Sequence, residues 1–119
     1  MMEAEFWEFL DILIASKSIV IDRSKGSIHP QFPDLKHPLD YGNLEGTRSM
    51  DGSGVDVWVG SESTPKNDGI LATIDLQKKD SEIKLVIGCS EKELDVIKRF
   101  HDTYQMRAIY IQRNKNGEK

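Results

Sequence analysis

Asp40-Tyr41-Gly42-Asn43-Leu44-Glu45-Gly46-Thr47-Arg48-Ser49-Met50-Asp51-Gly52-Ser53-Gly54-Val55-Asp56-Val57-Trp58-Val59-Gly60 sets glycines and small hydroxyl residues around the acids Glu45, Asp51 and Asp56 and then turns abruptly into an alternating run. Val55, Val57 and Val59 alternate with Asp56, Trp58 and Gly60, which is the period of a strand with one face toward a core. The segment before it reads as a loop that holds Glu45, Asp51 and Asp56 at the mouth of a sheet. Hard divalent cations take such oxygen ligands, commonly together with phosphate oxygens.

Outward from this stretch the periodicities change. Phe6, Phe9, Leu10 and Leu13 recur at helical spacing, with Trp7 and Ile14 flanking them and acids on the far side, so an amphipathic helix is predicted. Ser18 to Asp22 is a short β-branched strand that runs into the turn Asp22-Arg23-Ser24-Lys25-Gly26. Pro30, Pro33 and Pro38 exclude a helix or an interior strand between His29 and Pro38, because proline cannot donate a backbone hydrogen bond. An extended, surface-hugging loop is expected there.

After a polar loop over Ser63 to Asp68, a strand from Ile70 to about Gln77 and another from Glu82 to Cys89 lie close enough to form a hairpin across Lys78 to Ser81. On the second strand Ile83, Leu85 and Ile87 share one face, and Glu82, Lys84 and Val86 the other. Ser90-Glu91-Lys92-Glu93 has the Ser-x-x-Glu spacing of a capping box, so a helix starts here and buries Leu94, Ile97 and Phe100. Met106 to Gln112 is a last strand, and Asn114 to Lys119 a polar tail expected to fray. The whole reads as a single domain over 1–113, mainly β in an α+β arrangement, with helices at both ends. The short spacings favour antiparallel pairing or a small barrel over parallel crossovers.

Composition narrows the function. The 119 residues leave no room for a second core. A formal net charge of −4 without a basic arm argues against nucleic acid as a partner. Trp58, Tyr104 and Tyr110 are accordingly read as core or rim residues and not as stacking platforms for an oligonucleotide. Glu3, Glu5, Glu8 and Asp11 interrupt the N-terminal apolar run, which fits neither a signal peptide nor a membrane span. The lone Cys89 fits a reducing compartment, and the cytoplasm is the expected location. His29, His37 and His101 are scattered without a metal-ligand spacing.

The acids carry the chemistry. Side chains at i and i+2 on a strand share a face about 7 Å apart, so Glu82 and Lys84 point the same way, and Asp56 projects opposite to Val55 and Val57. Asp51 sits on a glycine-softened turn that can fold it back beside Asp56, and Asp80 lies in the hairpin just before Glu82. If the hairpins are neighbours, these carboxylates and Lys84 line one cavity, a cage for Mg²⁺ and phosphate oxygens.

In order and in distance, Tyr41-Gly42, then Asp51-Gly52-Ser53-Gly54-Val55-Asp56-Val57, then Asp80-Ser81-Glu82-Ile83-Lys84-Leu85-Val86 resembles the soluble family I inorganic pyrophosphatases. The resemblance covers about Ile19 to Val86 and marks a short, divergent relative. It implies an OB-like antiparallel β-barrel whose cavity holds several Mg²⁺ ions, with Mn²⁺ an alternative, between carboxylates and pyrophosphate. Asp51 and Asp56 look like the first and third signature acids, catalytic and metal-binding. Asp80 and Glu82 look like metal ligands of the later hairpin, with Asp75 a rival to Asp80. Lys84 looks like a phosphate-binding lysine and Tyr41 like a substrate-pocket tyrosine. A homo-oligomer is expected, with the Phe6, Trp7 and Phe9 cluster as core or subunit contact.

The departures matter as much. Ser53 stands where the family carries its middle acid, and a serine hydroxyl cannot take a proton from water at neutral pH as a carboxylate can. Gly54 replaces the usual proline, His37 a pocket tyrosine, and the upstream phosphate clamp is thin. Two functions are therefore expected in competition: weakened or retuned metal-dependent hydrolysis of pyrophosphate, or a noncatalytic barrel that binds metal or phosphate ligands or serves in assembly.

Overall fold

The computed structural model describes residues 2–63 and 67–113; the expected tail over 114–119 lies outside these. Helix α1 spans Met2–Ala15 and is followed by β1 (Ile19–Arg23), β2 (Asp40–Leu44), β3 (Val55–Val59), β4 (Asn67–Asp75) and β5 (Asp80–Ile87). Helix α2 (Glu91–His101) and β6 (Met106–Gln112) complete the chain. The capping box forms as its spacing predicts: Glu93 N donates to Ser90 Oγ at 3.2 Å, and Ser90 N donates to Glu93 Oε1 at 2.9 Å. Acids in the first turn of α2 and Lys98, Arg99 and His101 in the last complement its dipole.

The strands form one six-stranded sheet in the order β1-β2-β3-β5-β4-β6. Two features of the expected antiparallel barrel are corrected. β3 and β5 run parallel, because β4 passes over to the outer side of β5 and the hairpin docks through its second strand. The ladder is also not closed: β1 and β6 are its edges, and no pairing joins them among the described residues. The cause is visible in β5, where Leu85, Val86 and Ile87 are all buried, so this strand takes the centre of the sheet.

Both faces of the sheet are covered, which revises the one-sided reading of β3. Val57 and Trp58 point to opposite faces, and both are 0% exposed. Trp58, Leu71, Val86 and Ala108 pack with Ile97 of α2 on one side, joined by Leu39 and Cys89. Leu44, Val57, Ile70, Leu85 and Ile87 pack with Trp7 of α1 on the other. Each such fully buried aliphatic side chain contributes about 1.5–3 kcal/mol.

Helix α1 presents a different stripe from the expected one. Trp7 is buried, and Leu10 and Ile14 pack with it against the sheet, whereas Phe6, Phe9, Ile12 and Leu13 are exposed. The bidentate pair of Arg113 with Asp11, both bonds at 2.8 Å, and the guanidinium over the Trp7 ring fix this rotation. Positions 7, 10 and 14 are themselves helically spaced, and a helix apolar on more than one side takes its orientation from the surface it meets.

Candidate functional site

The parallel pairing places the site. Trp58 of β3 lies beside Val86 of β5, so two residues earlier on each strand Asp56 comes beside Lys84 on the face covered by α2. Tyr41 reaches the same face from β2, where it pairs with Trp58. Four of the residues expected in the site thus converge. Lys84 Nζ donates to Asp56 Oδ2 at 2.7 Å, to Glu82 Oε1 at 2.9 Å and to the Tyr41 hydroxyl at 2.9 Å. An ammonium has three donors, and all three are used.

Lys84 is buried while its carboxylate partners are only partly so, with side-chain exposures of 25% for Asp56 and 18% for Glu82. Burial by itself lowers the Lys84 pKa, but the neighbouring Tyr41 and Asp56 outweigh it and the net direction is upward. Burial, chiefly, raises the Tyr41 phenol as well. At neutral pH the cluster therefore pairs an ammonium with a neutral phenol and the carboxylates.

Asp51 lies in the exposed loop between β2 and β3. Its Oδ1 accepts from the Ser49 hydroxyl at 2.6 Å and from Ser53 N at 2.9 Å. These bonds hold its carboxyl below the usual range, with Glu82 and Lys84 among the further influences. Ser53 is exposed, and its hydroxyl makes no hydrogen bond among the described residues. Gly54 follows from packing: a Cβ there would stand 2.6 Å from Asn43 Oδ1 and 2.9 Å from Leu44 O.

Asp80 opens β5 on the same face as Glu82 and lines the same cavity, without joining the Lys84 cluster. Asp75, its partner across the hairpin, is a turn residue: Oδ1 accepts from Gln77 N at 2.9 Å and Lys78 N at 3.1 Å.

What the sequence reading missed is the wall of the cavity. The proline-rich loop folds back through the bridge between Ile28 and Lys36, which sets the His29 and His37 rings parallel, within 2° and with centroids 5.7 Å apart. Phe32 stacks on Tyr104 at 4.3 Å, and the Tyr104 hydroxyl donates to Asp34. The repeated pairs His29-Pro30 and His37-Pro38, one at each end of the loop, were the available signal. His101 is a packed residue, as its place on α2 suggested. Its Nε2 accepts from Trp58 Nε1 at 3.0 Å, and burial pushes its pKa down to about 3. Cys89 is buried, its thiol pushed up to about 12 chiefly by burial, which fits a structural role.

The fold has known counterparts. No family profile and no curated protein matches the sequence. Solved structures do match, and they share the fold. An inorganic pyrophosphatase of Helicobacter pylori is 21% identical with a TM-score of 0.58, over 83% of this chain and 84% of that one. An inorganic phosphatase of Anaplasma phagocytophilum is 18% identical at 0.55, over 79% and 81%. An inorganic pyrophosphatase of Coxiella burnetii is 16% identical at 0.53, over 87% of each chain. The chain has the α+β fold of the inorganic pyrophosphatases. No helix among the described residues is long and apolar enough to cross a membrane.

Among the described residues no three His, Cys, Asp or Glu side chains stand close enough to share an ion, so the donor set does not fit a multi-metal cage. It does fit a single Mg²⁺, which is commonly held by one or two carboxylates with substrate phosphate and water completing its shell. Asp56 and Glu82 offer hard oxygens around a single ammonium, an excess of negative charge that favours such an ion.

Proposed function

We propose that this chain is a metal-dependent hydrolase of inorganic pyrophosphate, retuned and weakened relative to the pyrophosphatases whose fold it shares. The observation that carries this reading is the convergence of Tyr41, Asp56 and Glu82 on Lys84, beside a cavity that Tyr41, Glu82 and Lys84 line. Asp56 and Glu82, which meet at Lys84, would hold a single Mg²⁺ or Mn²⁺ with substrate phosphate and water completing its shell, and Asp51 and Asp80 would add negative charge around it. When bound, such an ion neutralises developing phosphate charge and lowers the pKa of its water.

The chain's own residues do the rest. Lys84 and Tyr41 bind and orient the phosphate groups. Because the Lys84 donors are all engaged, a phosphate oxygen must displace one of its partners. Asp51 and Asp56 are the catalytic carboxylates, which orient the attacking water without replacing the missing middle acid as its base. Ser53 hydrogen-bonds that water without deprotonating it, and a missing general base costs about 10²- to 10⁴-fold in rate. The lone, free Cys89 supports a reducing, cytoplasmic setting, and the exposed Phe6, Phe9, Ile12 and Leu13 of α1 support self-association.

A phosphate-release panel over pyrophosphate, short polyphosphates and nucleotides, with Mg²⁺ or Mn²⁺, tests this reading when Ser53→Asp is included. A large gain in the variant is expected, because the substitution restores a carboxylate at the attacking water.

The saturation of Lys84 favours a second reading, in which the chain binds metal or phosphate ligands without turnover. Pyrophosphate and Mg²⁺ would then raise the unfolding temperature while no phosphate is released.

A further inference from the structure

The cavity that Lys84 lines adjoins a second hollow of about 510 Å³, within the 300–1,000 Å³ range of sites for organic ligands and far more than pyrophosphate fills. Its wall there includes His29, His37 and Phe32, with Tyr41 shared between this space and the carboxylate floor. A site for an inorganic anion alone has no use for such ring faces.

The two imidazoles are set up as complementary hydrogen-bonding groups. His29 Nδ1 accepts from Gln31 N at 3.0 Å and from Phe32 N at 3.3 Å, which leaves the proton of the neutral ring on Nε2. His37 Nδ1 lies 3.3 Å from the Ser27 carbonyl and donates to it, which leaves Nε2 as an acceptor. Burial, first of all, lowers both pKa values and keeps both rings neutral. Neither Nε2 has a hydrogen-bond partner among the described residues. The His37 ring is buried among aromatic neighbours and offers its edge alone, while His29 and Phe32 are half-buried, so one free donor and one free acceptor match the edge of a nucleobase and the half-buried rings its face. Arg23 and Lys78 also line this space and supply positive charge for a phosphate chain.

We infer that the ligand of this site is a nucleoside phosphate, its base against His29, His37 and Phe32 and its phosphates toward Lys78, Tyr41 and Lys84. This rests on the reading that phosphate groups occupy the Lys84 end.

Calorimetric titration of the full chain with ADP, pyrophosphate and tripolyphosphate in Mg²⁺ tests it, alongside His29→Ala and Phe32→Ala. ADP is expected to bind at least tenfold more tightly than pyrophosphate, and both variants to bring the two close to parity with pyrophosphate affinity unchanged. Phe32→Leu, which keeps an apolar side chain but removes the ring, replaces Phe32→Ala if the latter does not fold. ADP binding no tighter than pyrophosphate or tripolyphosphate, or a preference unchanged in the variants, overturns the inference. The outcome is separable from hydrolysis. Tight ADP binding without phosphate release leaves this inference standing and removes the hydrolase; pyrophosphate hydrolysis without an ADP preference does the reverse.

Discussion

Lys84 Nζ lies 2.7 Å from Asp56 Oδ2, a contact made between adjacent parallel strands and not across a hairpin. Because β3 and β5 advance together, the acid that closes the loop motif and the lysine of the later strand reach the same level of the sheet. Everything proposed for the site depends on that register.

Removal of the ammonium leaves Asp56 and Glu82 facing each other, partly buried and without their cation. Lys84→Met is expected to lower stability by about 3 kcal/mol, the low end for breaking a buried ion pair, because its partners keep some solvent. Urea denaturation measures it. Asp56→Asn and Glu82→Gln added to Lys84→Met are expected to recover most of the loss, since no unpaired charge then remains.

Stability is expected to fall as pH drops below about 6.5, the ordinary histidine value. The folded pKa of His101 is lowered to about 3, so over that window the unfolded chain takes a proton that the folded chain refuses. The contribution is fully present above 6.5 and is lost as pH falls, by up to about 1.4 kcal/mol per pH unit. His29 and His37, also lowered, act in the same direction. Denaturation at pH 7.5, 6 and 5 reads the slope, and His101→Gln, whose amide accepts from Trp58 without taking a proton, is expected to flatten it.

The rotation of α1 separates two aromatic residues only two positions apart in sequence. Trp7→Ala is expected to cost about 3–5 kcal/mol, as for buried aromatic truncations, while Phe9→Ser, at a position 71% exposed, stays within about 0.5 kcal/mol. Thermal unfolding of the two variants side by side checks the assignment.

Local signals were legible in the sequence and distant ones were not. The alternation of Glu82, Lys84 and Val86 and the Ser90–Glu93 capping box follow from spacing within a few residues, and both stand in the structure. The parallel pairing of β3 with β5 was not readable, because the choice of which hairpin strand docks depends on burial of Leu85, Val86 and Ile87 by both helices. The face of α1 failed for a similar reason: two apolar stripes compete, and the sheet with Arg113 selects one. The histidines looked scattered because the bridge between Ile28 and Lys36 that gathers two of them carries no periodicity.

The central claim is that the carboxylates of the loop and of β3 act on a phosphoanhydride bond. The most direct measurement is phosphate release from pyrophosphate, with and without Mg²⁺, for the wild-type chain beside the double variant Asp51→Asn Asp56→Asn. Metal-dependent release well above that of the double variant is the result this account predicts. Release no greater than that of the double variant would contradict it.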